Sequence, residues 1–413
     1  MRVFPSLPLP HRLWRALPAG PRRRVLARAA ALLAPRIAQP APIARGGVIV
    51  AGELTRASGL GESARLMLRA LETLGVPAWP LDIGALLPAH RADMPPPPIP
   101  EAPPPPGAAL VVHVNAPLLP LVLARLPRGL VRGRRVVGYW AWELPVVPPD
   151  WRLGARFAHE AWTPSDFTAG AVAPLVGGRV RTVPHPLAVA PPVPAVLDRA
   201  AFGLPADAVI VLVAFNLASS FARKNPLAAI AAFRQAFGDR ADRLLMVKIG
   251  NPAHAPGDFG AIEAAVAGAR NIRVETRTLP AAEAHALTLA ADIVLSLHRS
   301  EGFGLVPAEA MLLGRPVIAT GWSGNMTFMD DECAALIRYR LVPARDPRGV
   351  YAVAGASWAE PDIAHAAEWL RRLADDPGLR ARLGEAGRAA ARTRLGGAKL
   401  AEAVRALGIA VPA

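Results

Sequence analysis

The chain has 413 residues, 52% of them hydrophobic, with a net charge of +15 and a single cysteine, Cys333. A chain of this length is too long for one ordinary core, so two domains are expected. A single cysteine excludes a disulfide framework and fits a reducing, cytoplasmic compartment. No stretch approaches the roughly 18 uncharged apolar residues of a membrane-spanning helix. The sequence shows no zinc-ligand spacing and no stripe of basic residues with interleaved aromatics, which argues against nucleic acid as a partner.

Residues 1–45 form a basic, proline-rich leader. Within it, the segment 22–33 has the composition of a short helix with an arginine face. Two interpretations stay open on the sequence alone. One is a surface helix that makes peripheral contact with an anionic membrane, and the other is a poorly ordered leader.

Residues 46–190 alternate apolar runs with helix-like segments, which predicts a first α/β domain. A proline-rich run at 191–194 then indicates a linker. The predicted strands are 47–52, 78–82, 109–114, 135–140, 161–163 and 180–183, and the predicted helices are 58–74, 118–126 and 167–175.

Residues 200–395 repeat the alternation and predict a second domain, followed by a C-terminal helix and tail at 396–413. The predicted strands are 209–215, 244–249, 272–275, 293–297, 316–320 and 333–337, and the predicted helices are 227–237, 259–266, 281–290, 307–314, 362–373, 379–393 and 399–407. The fold class is therefore α/β, with two doubly wound Rossmann-like domains facing across a cleft.

Two carboxylates lie at a set separation in the second domain. Glu301 is in the loop after strand 293–297, and Glu309 follows it on the next helix with seven residues between them. Because ligands of open parallel sheets bind at the carboxyl ends of the strands, both carboxylates are expected to face the ligand crevice.

Two adjacent cations, Arg223 and Lys224, follow strand 209–215 and precede a helix. An arginine fork beside a lysine point charge is suited to gripping a diphosphate. The alternative is a pair of solvated loop cations, which is common in a chain with 47 lysines and arginines.

The glycines Gly59 and Gly61 open the helix after the first strand, and Asp82 lies at about the distance of the ribose-binding acid of a dinucleotide fingerprint. Residues 53–58 intervene where that fingerprint requires a tight turn. A glycine loop that faces an anion or an acceptor sugar is the second interpretation, and a simple turn is the third.

Three further polar side chains, His113, Lys248 and His298, lie at or just beyond predicted strand ends, and His113 is expected to face the interdomain cleft. Trp140, Trp142 and Glu143 follow another strand. Their indole rings can stack on a sugar, but packing is the favoured interpretation.

The chain from residue 46 to 395 resembles the retaining glycosyltransferases of family 4, which have the two-domain GT-B fold. The resemblance rests on motifs that the sequence carries intact: Glu301-Gly302-Phe303-Gly304-Leu305, Glu309-Ala310-Met311, the segment 314–320 and Ser323-Gly324-Asn325. A narrower bacterial subgroup is matched by the segments 296–301, 223–225, 139–145 and 358–361.

The resemblance implies that a nucleotide sugar binds mainly to the second domain, with no metal or other cofactor. Glu309 would hold the ribose, Lys224 would neutralise the leaving diphosphate, and Glu301 would face the donor sugar. The amides of Phe303, Gly304 and Leu305 would contact the diphosphate or the sugar, and Gly302 belongs to the same donor-binding loop. The remaining donor-binding candidates are Ser219, Arg223, Lys248 and His298.

Two correspondences with the family are looser. His113 matches an N-domain histidine that lies near the sugar. The family separates its arginine from its lysine by several residues, and here Ser219 lies nearer that place while Arg223 adjoins Lys224.

The resemblance therefore implies a retaining hexosyltransferase, with GDP-mannose or a UDP-sugar as donor. Its acceptor would be a glycan or a lipid-linked glycan in surface polysaccharide biosynthesis. Retention without an obvious nucleophile favours a same-face displacement, in which Glu301 gives electrostatic support. Two alternatives stay open: a non-catalytic nucleotide-sugar or glycan-binding protein, and an NAD-dependent oxidoreductase that uses Gly59 and Gly61.

Overall fold

The computed structural model describes residues 19–87 and 94–412. The first 18 residues of the predicted leader lie outside the described residues. The described backbone forms two six-stranded sheets and one two-stranded sheet. α-Helices connect most of the successive strands in both large sheets, which confirms the predicted α/β fold class.

The first sheet is parallel throughout and has the strand order β2-β1-β3-β4-β5-β6. Runs of valine, isoleucine and leucine are buried on both faces, as a sheet covered by helices requires. The strands are β1 (Val48–Gly52), β2 (Ala78–Asp82), β3 (Ala109–Val112), β4 (Val136–Tyr139), β5 (Glu160–Thr163) and β6 (Val180–Thr182).

The second sheet is also parallel, with the order β12-β11-β10-β7-β8-β9. The chain runs outward from β7 to β9 and then returns to the other side of β7, so the strand order reverses between β7 and β10. The strands are β7 (Val209–Asn216), β8 (Arg243–Gly250), β9 (Ile272–Glu275), β10 (Ile293–Ser296), β11 (Val317–Thr320) and β12 (Ala335–Ile337).

Ten of the α-helices in the described residues follow the predicted ones with ends that differ by a few residues, whereas the short helices Trp151–Ala155 and Phe221–Lys224 are not predicted from the sequence. The α-helices are α1 (Ala19–Leu33), α2 (Gly59–Thr73), α3 (Leu119–Arg125), α4 (Trp151–Ala155), α5 (Asp166–Val176), α6 (Phe221–Lys224), α7 (Pro226–Phe237), α8 (Pro256–Val266), α9 (Ala281–Ala290), α10 (Leu305–Leu312), α11 (Ile363–Asp375), α12 (Pro377–Arg394) and α13 (Ala398–Ala406).

An antiparallel pair, β13 (Tyr339–Pro343) and β14 (Ser357–Pro361), is absent from the sequence prediction. Leu341 on β13 is 56% exposed, so the pair lacks the continuous apolar run by which buried strands are recognised. The connection between these strands, residues 344–356, folds back onto the loop after β7. There the Arg348 guanidinium donates to the carbonyls of Leu217 and Ser219 at 2.7 and 2.6 Å.

Both ends of the described chain pack against the first domain. Helix α1 forms within the predicted leader, and Ala34 just beyond it joins the core that contains Ile49. After α12 the chain crosses back, and Leu400 and Val404 of α13 are buried against Val48. None of the helices in the described residues is both long and apolar enough to span a bilayer.

The packing of α13 predicts that Leu400→Ala destabilises the protein. Leu400 is 1% exposed, and emptying such a position costs about 2–5 kcal/mol of the free energy of unfolding. Urea denaturation measures it, with Leu341→Ala on the exposed hairpin as the control. Equal and small losses in both variants would show that α13 is not part of the first core.

Candidate active site

The two charged loops singled out in the sequence follow neighbouring strands. Arg223 and Lys224 come after β7, and Glu301 comes after β10, the strand hydrogen-bonded beside it. The strand order reverses between these two strands. Such a reversal opens a crevice at the carboxyl ends of an open parallel sheet, so both loops lie where a ligand is expected.

The basic loop is shaped by local hydrogen bonds. The Ser220 hydroxyl caps the one-turn helix α6 by accepting from the Arg223 amide at 3.2 Å. Asn225 ends that helix in the left-handed conformation with φ of 53° and donates its side-chain amide to the Leu297 carbonyl at 3.1 Å. Asparagine tolerates this conformation better than most residues, and the bond to Leu297 ties the basic loop to the end of β10.

A buried ion cluster is the centre of the site. The Lys224 Nζ lies 2.5 Å from Oε1 of Glu301, and Arg223 Nη1 lies 3.0 Å from Oε2. Arg223 also donates to the Ser300 carbonyl and to the Ser219 hydroxyl, both at 2.7 Å. The two predicted cations thus flank the predicted carboxylate, and the solvated-cation alternative does not hold for Arg223, which is 3% exposed.

The charges in this cluster stabilise one another. Burial by itself would raise the pKa of Glu301, but Lys224 and Arg223 outweigh it and lower the pKa to about 2. Burial opposes the charge on Arg223 too, yet Tyr351, Glu301 and Glu143 hold the pKa of Arg223 above its usual range. At neutral pH the carboxylate and the guanidinium are therefore both charged, although both are buried.

The loop from Glu301 to Gly304 is held by the turn at residues 323–325. The Glu301 amide donates to the Ser323 hydroxyl at 2.8 Å, and the Gly324 amide donates to the Glu301 carbonyl at 2.8 Å. Gly304 has φ of 101°, which favours glycine. Helix α10 begins at the next residue, so this turn sets the direction in which the helix starts.

The start of α10 has free backbone donors. Among the described residues, no acceptor is found for the amides of Phe303, Gly304 and Leu305, and no side chain caps the helix. Free amides together with the helix dipole make a helix N-terminus a binding site for an anion. The second predicted carboxylate, Glu309, lies one turn further along and is partly exposed, with His285 Nε2 at 3.9 Å.

The first domain closes over the ion cluster. The Glu143 carboxylate accepts a hydrogen bond from the Tyr351 hydroxyl at 2.9 Å and lies 3.9 Å from Arg223 Nη2. The Ser300 hydroxyl donates to the Glu143 carbonyl. Tyr351 lies in the 344–356 connection. It is not identified from the sequence as a site residue, because that segment carries no helix or strand periodicity. The ring centroids of Trp142 and Tyr351 lie 5.3 Å apart, which confirms the packing interpretation for the Trp142 indole.

From the sequence, His113 is expected to face the interdomain cleft, but in the structure its side chain is buried. It follows β3, but its ring stacks on Tyr139 at 4.4 Å, with Nδ1 2.9 Å from the Ser63 hydroxyl. Burial, helped by His185, holds the pKa of His113 well below its usual range, so the ring is neutral. Tyr139 and His185 lie between His113 and Phe303. The strand residues before it alternate between two covered faces, and the sequence does not reveal which face His113 takes.

The other residues predicted to bind the donor nucleotide sugar are spread over the second sheet. His298 is buried and bonded to Ser296 and Asn325 at 3.0 Å each, so it supports the 323–325 turn. Ser219 contacts Arg223 directly. Lys248 lies on β8, on the far side of β7 from Glu301, and donates to the Arg277 carbonyl at 2.8 Å.

The glycine loop after β1 makes its close contacts and hydrogen bonds with backbone and side-chain atoms of its own segment. A side chain at Gly61 would lie 2.5 Å from the Glu53 carbonyl oxygen, and the Gly61 amide donates to Ser58 at 3.1 Å, whereas Gly59 has open space around it. The Asp82 carboxylate accepts from the Leu54 amide at 3.0 Å and from the Thr55 hydroxyl at 2.8 Å. An aspartate bound in this way is not presented to a dinucleotide ribose.

A family model described as "Family 4 Glycosyltransferase in conflict systems" matches residues 180–393, which is more than half of the chain. Two curated relatives are D-inositol 3-phosphate glycosyltransferases. The one from Salinispora arenicola is 30% identical over 46% of this chain and 39% of its own length. The one from Saccharomonospora viridis is 33% identical over 36% of this chain and 34% of its own length. The matches thus span less than half the length of these relatives.

Solved structures share the architecture over almost the whole chain. A glycosyltransferase from Rickettsia africae superposes with a TM-score of 0.60 at 13% identity, covering 88% of this chain and 97% of that one. The Anabaena protein HepE, in complex with UDP and glucose, superposes with a TM-score of 0.58 at 14% identity, covering 87% and 99%. At these identities the likeness establishes the fold, which is the GT-B fold predicted from the sequence.

The low pKa of Glu301 gives a prediction about acid stability. Its pKa falls from 4.5 to about 2 on folding, so its charge stabilises the protein above pH 4.5, and this contribution is lost as the pH falls toward 2. The wild type should lose up to about 3 kcal/mol more than Glu301→Gln over that window. Urea denaturation at several pH values measures it, and parallel curves would contradict it.

Proposed function

This chain belongs to the family 4 glycosyltransferases of conflict systems, and we propose that it transfers a sugar from a nucleoside diphosphate sugar to an acceptor. The observation that carries the proposal is the Lys224–Glu301–Arg223 cluster beside the free amides at the start of α10. Two cations and a helix N-terminus suit a diphosphate, and a carboxylate among them suits the hydroxyls or developing positive charge of a sugar.

On the donor side, each group has a distinct role in the proposal. Glu309, partly exposed one turn into α10, receives the ribose hydroxyls. The amides of Phe303, Gly304 and Leu305 receive the diphosphate or the sugar. Lys224, which is more exposed than Arg223, turns from Glu301 to the diphosphate when the donor binds.

In the transfer itself, the bond between the anomeric carbon and the diphosphate oxygen breaks, and negative charge grows on the leaving diphosphate. Lys224 stabilises that charge, which is the usual means by which a preformed electrostatic site lowers a barrier. The acceptor hydroxyl forms the new bond to the anomeric carbon and releases its proton to the departing diphosphate. We place the attack on the same face, so that configuration is retained, with Glu301 supporting the positive charge of the sugar.

The donor sugar and the acceptor are the finer parts of the proposal. We propose a hexose, carried by UDP or GDP, and a glycan or lipid-linked acceptor in surface polysaccharide synthesis on the cytoplasmic side. UDP-glucose belongs in the donor panel because a protein of the same fold holds UDP and glucose. Inositol phosphate belongs in the acceptor panel because the curated relatives are named for it.

The two alternatives separate by experiment. A non-catalytic binding protein would bind a nucleotide sugar and turn over none with any acceptor. A dinucleotide oxidoreductase would bind NAD, and that binding would depend on Asp82. The hydrogen bonds that hold Asp82 in its own loop disfavour this second alternative.

The proposal predicts that Glu301→Ala and Lys224→Ala each lower turnover by about 100-fold to 1000-fold, the usual loss when one electrostatic group of an active site is removed. Release of UDP or GDP from a panel of nucleotide sugars with acceptor measures it. Glu385→Ala removes an exposed carboxylate that is paired with Arg388 and should leave turnover unchanged. Undiminished turnover in both site variants would refute the site.

A second property, contact with an anionic membrane, is favoured by the surface of α1. Leu32 and Leu33 are 87% and 74% exposed. Beside them, Arg28, Arg36 and Arg156 line a groove of about 560 Å³ together with apolar side chains. Exposed leucines next to arginines suit an interface with acidic lipid. We propose that this face rests on the membrane that carries a lipid-linked acceptor.

This surface predicts that the protein floats with phosphatidylglycerol vesicles and not with phosphatidylcholine vesicles. Changing Arg28 and Arg36 to Gln should weaken flotation, because each basic residue near an anionic surface contributes about 1 kcal/mol. Changing the exposed Leu341 to Ser is the control, since it lies on the hairpin. Flotation that is unaltered when Leu32, Leu33, Arg28 and Arg36 are all replaced would exclude this contact.

A further inference from the structure

A hydroxyl of the first domain reaches the backbone of the acidic loop. Ser165, just after β5, donates its hydroxyl to the Gly302 carbonyl at 2.6 Å, and Ser165 is fully buried. The Thr168 hydroxyl lies 3.4 Å from the same carbonyl and donates at 2.8 Å to the Trp142 carbonyl. The two domains therefore meet at one peptide group of the loop that carries the free amides.

Holding that carbonyl also fixes the direction of the next amide. The peptide bond between Gly302 and Phe303 is planar, and in a trans peptide the N–H points opposite to the C=O. Gly324 packs against the face of the same peptide: a side-chain carbon there would lie 2.3 Å from the Gly302 carbonyl and 2.6 Å from the Phe303 nitrogen. Held at its oxygen and covered on one face, the peptide keeps the Phe303 N–H turned away from Ser165.

We propose that Ser165 is a positioning residue for the diphosphate of the donor. By holding the Gly302 carbonyl, it keeps the Phe303 amide available beside the free amides of Gly304 and Leu305. This inference rests on the proposed function, and it assigns to the first domain a part in donor binding that needs no contact with the donor.

The contact also links donor binding to the arrangement of the two domains. Separation of the domains would break the Ser165 hydrogen bond and leave the Gly302–Phe303 peptide with only Gly324 to hold it. The amide would then spend part of its time in other directions, and the affinity for a diphosphate would fall. The three amides at the start of α10 are thus all available to a diphosphate only while the two domains stay in contact at Ser165.

The test compares the affinities of UDP and UMP, or of GDP and GMP, by calorimetry on the full chain. Ser165→Ala should weaken binding of the diphosphate about fivefold, the loss expected for one hydrogen bond, and leave the monophosphate unchanged, since the amides serve the phosphate that UMP lacks. Ser165→Thr keeps the hydroxyl, so its ratio of UDP to UMP affinity should match that of the wild type.

Ser165 also caps α5 by accepting from the Thr168 amide at 3.1 Å, so Ser165→Ala will lower stability as well. Asp376→Ala is the matched control, because Asp376 caps α12 through the Leu379 amide at 2.8 Å. It should lower the melting temperature and leave UDP affinity unchanged.

The outcomes separate the two proposals. If the wild type binds neither UDP nor GDP, the proposed function fails. If the wild type binds and Ser165→Ala binds equally well, or loses UDP and UMP to the same extent, the positioning role alone is overturned. A ratio in Ser165→Thr as low as that of Ser165→Ala would overturn it too.

Discussion

A buried carboxylate held between two cations is the constraint on which this structure depends. Burying Glu301 alone would be costly, and the bonds from Lys224 and Arg223 offset that cost. Those cations must come from the loop after β7, and the carboxylate from the loop after β10. The ion cluster therefore forms only if these two strands are neighbours, as the reversal of strand order in the second sheet makes them.

The same cluster ties the domains together. Arg223 is approached by Glu143 from the first domain, and Tyr351 from the connection at 344–356 bonds to that carboxylate. A diphosphate that enters brings negative charge to the cations, and Glu143 and Glu301 already occupy them. Under the proposed function, donor binding therefore exchanges protein carboxylates for phosphate oxygens. Such an exchange is electrostatically balanced, and it makes the site sensitive to how closely the first domain approaches.

Much of the fold could be predicted from the sequence, because both sheets are parallel and buried. Apolar runs such as Val209–Asn216 mark central strands, and the spacing of Glu301 and Glu309 within strand, loop and helix marks the ligand end of the sheet. The pairing of Arg223 and Lys224 with Glu301 was not predicted, because it depends on the strand order of the second sheet. Local periodicity alone would have left that order open.

What the sequence did not predict depends on contacts between distant segments. Tyr351 lies in an irregular connection that no periodicity marks, and Ser165 looks like an ordinary helix cap. The face taken by His113 is decided by its packing under Tyr139. In each case the role is set by a partner more than 20 residues away in sequence, which a single sequence does not reveal.

A crystal structure of the full chain with UDP or GDP bound tests the central claim most directly. It should place a β-phosphate oxygen within hydrogen-bond distance of Lys224 Nζ, the ribose hydroxyls at Glu309, and phosphate oxygens at the amides that begin α10. A nucleotide bound instead at the glycine loop after β1, with its ribose at Asp82 and the Lys224–Glu301 pair intact, would contradict it.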